Sequence, residues 1–328
     1  MKEEEISESE ALAVEVVEQE VEELPEKLEI DHSKLYVWVT DSGNDRIQKF
    51  NGNGKLLMQF GKSAGLRPPY EPGELKTPSG VTVDKESYIW VADTGCHRVQ
   101  KFDSKGNYIL SFGSEGWGQD KFYWPEDIIA EPTGTILVVD TSNHCLKRYD
   151  DEGEFLLSFG FAGNFDGFLK FPTGVALDKE GNIYVADRDN QRIQIFNEDG
   201  QFLSKFGEQG FDEGFFNFPN GLVVQNDGTI IVVEKSQNRL QVFDPDGAFL
   251  LSFGELGKRE GQFNCPMALA QDPYGFIFVV DTLNHRIQKF DPEFNFVCRW
   301  GAIGKEPGQM KDPSGIYLTW EPDWAPSG

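Results

Sequence analysis

Six prolines stand at one fixed interval: Pro78, Pro125, Pro172, Pro219, Pro266 and Pro313, each 47 residues after the last. The first opens the clearest copy of a unit, Pro78-Ser79-Gly80-Val81, which leads through Val91-Ala92 to an acidic turn at Asp93 and ends on Phe112-Gly113. The turns return at the same step, at Asp140, Asp187, Glu234 and Asp281, with an earlier one at Asp41. Phe60-Gly61, Phe159-Gly160, Phe206-Gly207, Phe253-Gly254 and Trp300-Gly301 close the other units. Self-similarity of this length in β-type segments restricts the chain to a propeller or a solenoid array.

The two ends of the repeat decide between them. Leu35–Thr40 alternates as a strand, Asp41–Asp45 turns, Arg46–Phe50 is a second strand, and Asn51-Gly52-Asn53-Gly54 is a hairpin turn before a third strand, Lys55–Phe60. This first unit has no Pro-x-Gly-Val strand. At the far end Pro313-Ser314-Gly315-Ile316 opens such a strand, to Trp320, with no unit after it. Joining the last strand to the first three completes a blade and removes the open sheet edges. The expectation is an all-β, six-bladed propeller of four-stranded antiparallel blades over 35–320, with an acidic N-terminal tail (1–34) and a C-terminal tail (321–328). In the first tail Ser7 and Glu10 form a capping-box pattern, and Val14, Val17, Val21 and Leu24 recur at helical spacing until Pro25. That segment is expected to dock as a short helix or to remain a solvated tail.

Asp281-Thr282-Leu283-Asn284-His285-Arg286-Ile287-Gln288-Lys289-Phe290 resembles the signature of NHL-repeat propellers, as do Asp41–Phe50, Asp93–Phe102, Asp140–Tyr149 and Asp187–Phe196. The preceding loops match too, as in Gly254-x-x-Gly257-x-x-x-Gly261-Gln262-Phe263-x-x-Pro266. The resemblance implies the fold. It leaves function open, since the family holds RNA-binding and protein-binding modules, receptor sensor domains and an amidating lyase.

Charge narrows the partners. The net charge is −25, and the first thirty residues, with twelve Glu against Lys2 and Lys27, carry −10 of it, which leaves −15 on the repeats. Such a field repels phosphates, so RNA binding is the third-ranked expectation. No apolar run reaches the roughly 18 residues of a membrane span, and Met1-Lys2-Glu3-Glu4-Glu5 is no basic leader. Cys96, Cys145, Cys265 and Cys298 lack metal-site spacing and are expected to be free thiols. A cytoplasmic protein without a cofactor is the expectation.

Each turn Asp is expected to pair with the Arg five residues on (Arg46, Arg98, Arg192, Arg239, Arg286), and Glu234 to loosen its turn. His97, His144 and His285 suggest zinc, but equivalent positions in separate blades cannot bring their ligand atoms to one point. The amidating lyases that the fold resembles hold zinc with histidines near the channel, and no histidine falls on an innermost strand here. The residue after each opening proline (Ser79, Glu126, Thr173, Asn220, Met267, Ser314) is expected to ring the channel mouth. Glu126, with Asp127 beside it, and Asn220 are the oxygen donors of that ring. They support an alternative function, a divalent-metal hydrolase similar to the gluconolactonase family, although Met267 stands where a further Asp would help. No Ser-His-Asp or Cys-His arrangement and no phosphate-binding loop occurs.

The departures from symmetry point elsewhere. Three consecutive inter-blade loops carry aromatics beyond the repeat pattern: Trp117, Tyr123 and Trp124; Phe161, Phe165, Phe168 and Phe171; Phe211, Phe215 and Phe218. Phe171 and Phe218 are expected to pack between blades. The loop before them holds the one insertion, 18 residues from Phe60 to Pro78 against 13 in later units, and contains Arg67, Pro68, Pro69 and Tyr70. The loops at 255–265 and 302–312 carry charges instead. A sector formed by Arg67, Tyr70, Trp117, Tyr123, Trp124, Phe161, Phe165, Phe168, Phe211 and Phe215, rimmed by acidic residues, is expected to bind a protein or peptide. The leading expectation is a non-enzymatic scaffold or adaptor subunit.

Overall fold

Within each repeat the second strand is buried on both faces: Ile89–Asp93, Ile136–Asp140, Ile183–Asp187, Ile230–Glu234 and Ile277–Asp281 have every residue inside. Near-continuous apolar runs such as Ile230-Ile231-Val232-Val233 therefore serve sheets stacked against neighbours on both sides. The outermost strands, such as Phe155–Phe159, alternate between part-buried and exposed residues because only one of their faces meets the next blade.

In the computed structural model, which describes residues 30–321, these strands form six four-stranded antiparallel sheets. The third blade is typical, running from the channel outward as Val175–Leu177, Ile183–Asp187, Arg192–Phe196 and Phe202–Phe206. The sixth is assembled from both ends of the repeat, in the order Ile316–Trp320, Leu35–Asp41, Arg46–Asn51 and Leu56–Phe60. Leu35 pairs with Trp320 and Val39 with Ile316, so the expected closure is present. The folded body reaches back to His32, whose Nε2 lies 2.8 Å from Asp272 Oδ2 in a buried contact. The readings made for residues 1–29 and 322–328 fall outside the described residues. Among the described residues no helix is long and apolar enough to cross a membrane, which leaves a β-barrel span unaddressed.

Two glycines of the repeat are dictated by packing. In the closing Phe-Gly, Gly207 has φ +93°, and a Cβ there would meet the Phe216 ring at 2.3 Å. That ring sits in a seam with Phe206 and Phe243, at centroid separations of 6.0 and 5.2 Å. In Pro-x-Gly, a Cβ on Gly174 would meet the Asn220 carbonyl of the next blade at 2.2 Å. The innermost strands approach so closely that a side chain is excluded there.

Candidate functional site

The turn carboxylates hold the inter-blade loops. Asp187 is fully buried, and its Oδ2 accepts from Arg192 Nε at 2.7 Å and Gln194 Nε2 at 2.9 Å. Its Oδ1 accepts from the Lys170 amide at 2.7 Å. The remaining donors of Arg192 reach into the loop: Nη1 to the Asn164 carbonyl, and Nη2 to the carbonyls of Phe165 and Phe168, both at 2.9 Å. Glu234, Arg239 and Gln241 repeat this for the loop bearing Phe211 and Phe215. As expected, the longer Glu234 side chain loosens its turn: the short 3₁₀ segment present after Asp41, Asp93, Asp140, Asp187 and Asp281 is absent there. In the second blade Cys145 replaces the arginine. Lys147 takes over, 2.8 Å from Asp140 and donating to the Gly118 and Lys121 carbonyls. A single cationic side chain thus ties each aromatic loop to the buried end of its sheet.

The histidines have an architectural task. His97, His144 and His285 occupy left-handed positions at the ends of their turns. Their Nδ1 atoms accept from the amides of Trp124, Phe171 and Asp312 at 3.0–3.1 Å. Those three residues also have positive φ, and Gln191 and Asn238 give the same support to Phe218 and Cys265. The repeat needs an acceptor at this point, and a neutral imidazole supplies one.

On this frame Trp117, Phe161, Phe165 and Phe211 project most, at 72, 67, 73 and 73% exposure. Trp124 and Phe215 are also exposed, while Tyr123, Phe168 and Tyr70 are half-buried. Tyr123 stacks on His97, and the Tyr70 ring lies near Lys76 and Arg98. Arg67 is exposed. One expectation needs correction: Phe218 is exposed, whereas Phe171, with the same left-handed backbone, is half-buried against the His144 ring and under Arg188; at the position of His144 the next blade offers Phe218 only the Gln191 amide side chain. The loops read as charged also present large aliphatics, Leu256 and Ile303, both 66% exposed, and Leu283 and Leu66 are exposed as well. Counting aromatics alone missed them, and the apolar surface continues beyond the three aromatic loops.

The channel is the second candidate. Ser79, Glu126, Thr173, Asn220, Met267 and Ser314 all line a central cavity of about 620 Å³. The metal alternative fares poorly on its donors. Among the described residues no group of three or more His, Cys, Asp and Glu could hold an ion, and no histidine lines the channel. Asp127 is committed to the frame, accepting from the amides of Ile128 at 2.9 Å and Val175 at 3.0 Å. It occupies the position that is glycine in four of the other blades, at Gly80, Gly174, Gly221 and Gly315.

Burial pushes Asp127 up to about 7, above the ordinary 3.8, against its two amide donors. The folded chain then keeps a proton that the unfolded chain releases near pH 4. Stability from this group is complete below about pH 4 and lost as the pH rises to about 7, on the order of 2–4 kcal/mol. The melting temperature of Asp127→Asn relative to the unsubstituted chain is expected to rise by roughly 5–10 °C between pH 4.5 and 7.5. Calorimetry at both values checks this, and a constant difference would place the proton elsewhere.

Residues 169–196, from the end of one inter-blade loop through three strands and the Asp187 turn, match the NHL repeat family. A stretch of 93 residues is 33% identical to the probable peptidyl-alpha-hydroxyglycine alpha-amidating lyase pgal-1 of Caenorhabditis elegans, covering 28% of this chain and 26% of that protein. Another, of 56 residues, is 38% identical to Protein brain tumor of Drosophila melanogaster, covering 17% of this chain and 5% of that one. The chain thus spans about a quarter or less of the curated relatives it matches. A chain of the solved nidogen/laminin complex superposes with a TM-score of 0.63 at 14% identity, over 88% of this chain and 99% of that one, which is a likeness of fold.

Proposed function

We propose that this chain, which carries an NHL repeat in a six-bladed propeller, is a scaffold or adaptor subunit that holds a protein or peptide partner on its loop face. The observation that carries the reading is the set of projecting aromatics on three successive loops, each loop tied down by a buried cation–carboxylate pair. Large aromatics give high contact energy at low entropic cost when their backbone is already ordered. Arg67, Tyr70, Trp117, Tyr123, Trp124, Phe161, Phe165, Phe168, Phe211 and Phe215 make up the contact sector, and Leu256 and Ile303 extend it. The acidic rim favours a partner with basic groups around an apolar centre and disfavours nucleic acid. The four free cysteines fit a reducing, cytoplasmic setting.

A catalytic reading at the channel draws on the similarity to the amidating lyase. Against it stand the missing histidines and the occupied Asp127 carboxylate.

Oxidative footprinting of the native complex tests the binding reading. Side chains at 117, 161, 165 and 211 are expected to be modified several-fold more slowly in the complex than in the free protein. Equal rates would remove the loop face from the interface.

A further inference from the structure

We infer that the loop-face mouth of the central channel is a binding site for a primary ammonium group, with the Glu126 carboxylate as its anchor. The first observation is the break in the ring. Five of the six mouth positions are uncharged, Ser79, Thr173, Asn220, Met267 and Ser314, and Glu126 alone bears a charge. The second is that its carboxylate is unspent: among the described residues no hydrogen bond or ion pair reaches it, although it lines the cavity and burial holds it above the usual carboxylate range. Structural carboxylates in this fold are treated differently. Asp41, Asp93, Asp140, Asp187, Glu234 and Asp281 are all paired with a cation or amide.

Neighbouring charges leave the anchor open. Arg188 and Lys235 are the cations that act on Glu126, and Asp189 is the anion. Arg188 is occupied by Asp189 at 2.8 Å, and among the described residues Lys235 makes no ion pair. Asp127, adjacent in the chain, has both carboxylate oxygens on backbone amides. Two blades along the ring, Asn220 donates its amide nitrogen to the Met267 carbonyl at 2.6 Å, so its oxygen is the atom left to accept.

The donor set selects the ligand class. One free carboxylate, an amide oxygen and the Ser79 hydroxyl suit the three N–H donors of an ammonium. Calcium asks for six to eight oxygens and is poorly served. The Met267 thioether, opposite Glu126 in the ring, suits an alkyl stem. The ammonium has two sources, a lysine side chain of the loop-face partner or a free alkylamine. The first source rests on the binding reading above, whereas the site itself does not.

Saturation-transfer NMR on the full chain, at low salt and near pH 8, with n-butylammonium chloride, blocked lysine (Nα-acetyl-lysine N-methylamide), n-butanol and calcium chloride as probes, tests the site. Butylammonium is expected to bind at least tenfold more tightly than butanol, and Glu126→Gln is expected to weaken it at least tenfold while the melting temperature does not fall. Blocked lysine binding more tightly than butylammonium assigns the site to a peptide side chain, and the reverse order to a free amine. Either order supports ammonium recognition even if Trp117, Phe165 and Phe211 bind nothing. Butanol binding as well as butylammonium, Glu126→Gln binding unchanged, no saturation transfer from either amine, or calcium displacing the amine stoichiometrically would each overturn the inference.

Discussion

A chain ending at Asp312 is expected to lose the folded monomer, running as aggregate or melting far below the full chain. The lost segment contains Ile316–Trp320, the innermost strand of the sixth blade, which pairs with Leu35–Val39 along five register positions. Ile316 belongs to a core shared with Leu35, Val37, Val39, Phe278, Val280 and Met310, and Leu318 and Trp320 pack on it. Burying such side chains is worth about 1.5–3 kcal/mol each, and several together rival the 5–15 kcal/mol that keeps a typical domain folded. A polar seam is cut as well. Thr40 Oγ1 accepts from the Gly315 amide at 2.6 Å and donates to the Ser79 carbonyl at 2.7 Å, linking the last strand to the first blade. Without it the edge of Leu35–Asp41 is open, an invitation to intermolecular pairing. Size-exclusion chromatography and thermal melting decide the matter. A shortened chain that stays monomeric and melts like the full one would mean that the ring does not depend on this strand.

The next largest effect is expected from Arg192→Ala. Its guanidinium is almost wholly buried beside a carboxylate of zero exposure, and deletion leaves the Asp187 charge with neutral donors alone, Gln194, Asn190 and the Lys170 amide. Breaking a buried pair from one side costs about 3–5 kcal/mol, which for a domain of this size lowers the melting temperature by roughly 10 °C. A second consequence separates this site from an ordinary core residue. The Asn164 carbonyl loses its Arg192 donor, and the Phe165 and Phe168 carbonyls each lose one of two, keeping the Phe168 amide and Gln194 Nε2 respectively, so amide exchange in 164–169 should speed up beyond that of the neighbouring loops. Arg67→Ala, an exposed control, should change melting by under about 1 °C. Melting of Arg192→Ala within a degree or two of the unsubstituted chain would contradict this description of how the loops are held.

Much of this architecture is legible in the residues. The 47-residue step, the strand missing at one end and present at the other, and the Asp–Arg spacing imply closed blades with paired turns, and the register and ion pairs agree. The six residues expected at the channel mouth all line it. Less legible is whatever depends on the third dimension between repeats. That His97, His144 and His285 accept amide hydrogens is invisible until the loop of the following blade is placed against them. Lys147 replaces an arginine from two positions further on, so a column-by-column reading records only the loss at Cys145. Phe218 fits the seam pattern by spacing, yet it faces Gln191 where Phe171 has the His144 ring, and it stays exposed. His32 lies outside any repeat, and only folding brings it to Asp272, 240 residues away.

The most direct measurement on the binding claim compares two baits in native extract, the unsubstituted chain and a triple variant with Trp117→Ser, Phe165→Ser and Phe211→Ser. The three rings are each more than 70% exposed, so the variant is expected to keep its melting temperature within about 2 °C. The account predicts that a partner recovered in near-stoichiometric amount with the unsubstituted chain is reduced at least tenfold with the variant. Removal of residues 1–29 is predicted to leave that partner bound. Recovery equal for both baits, with the partner lost only when residues 1–29 are removed, would contradict it and leave the aromatic loops without a binding role.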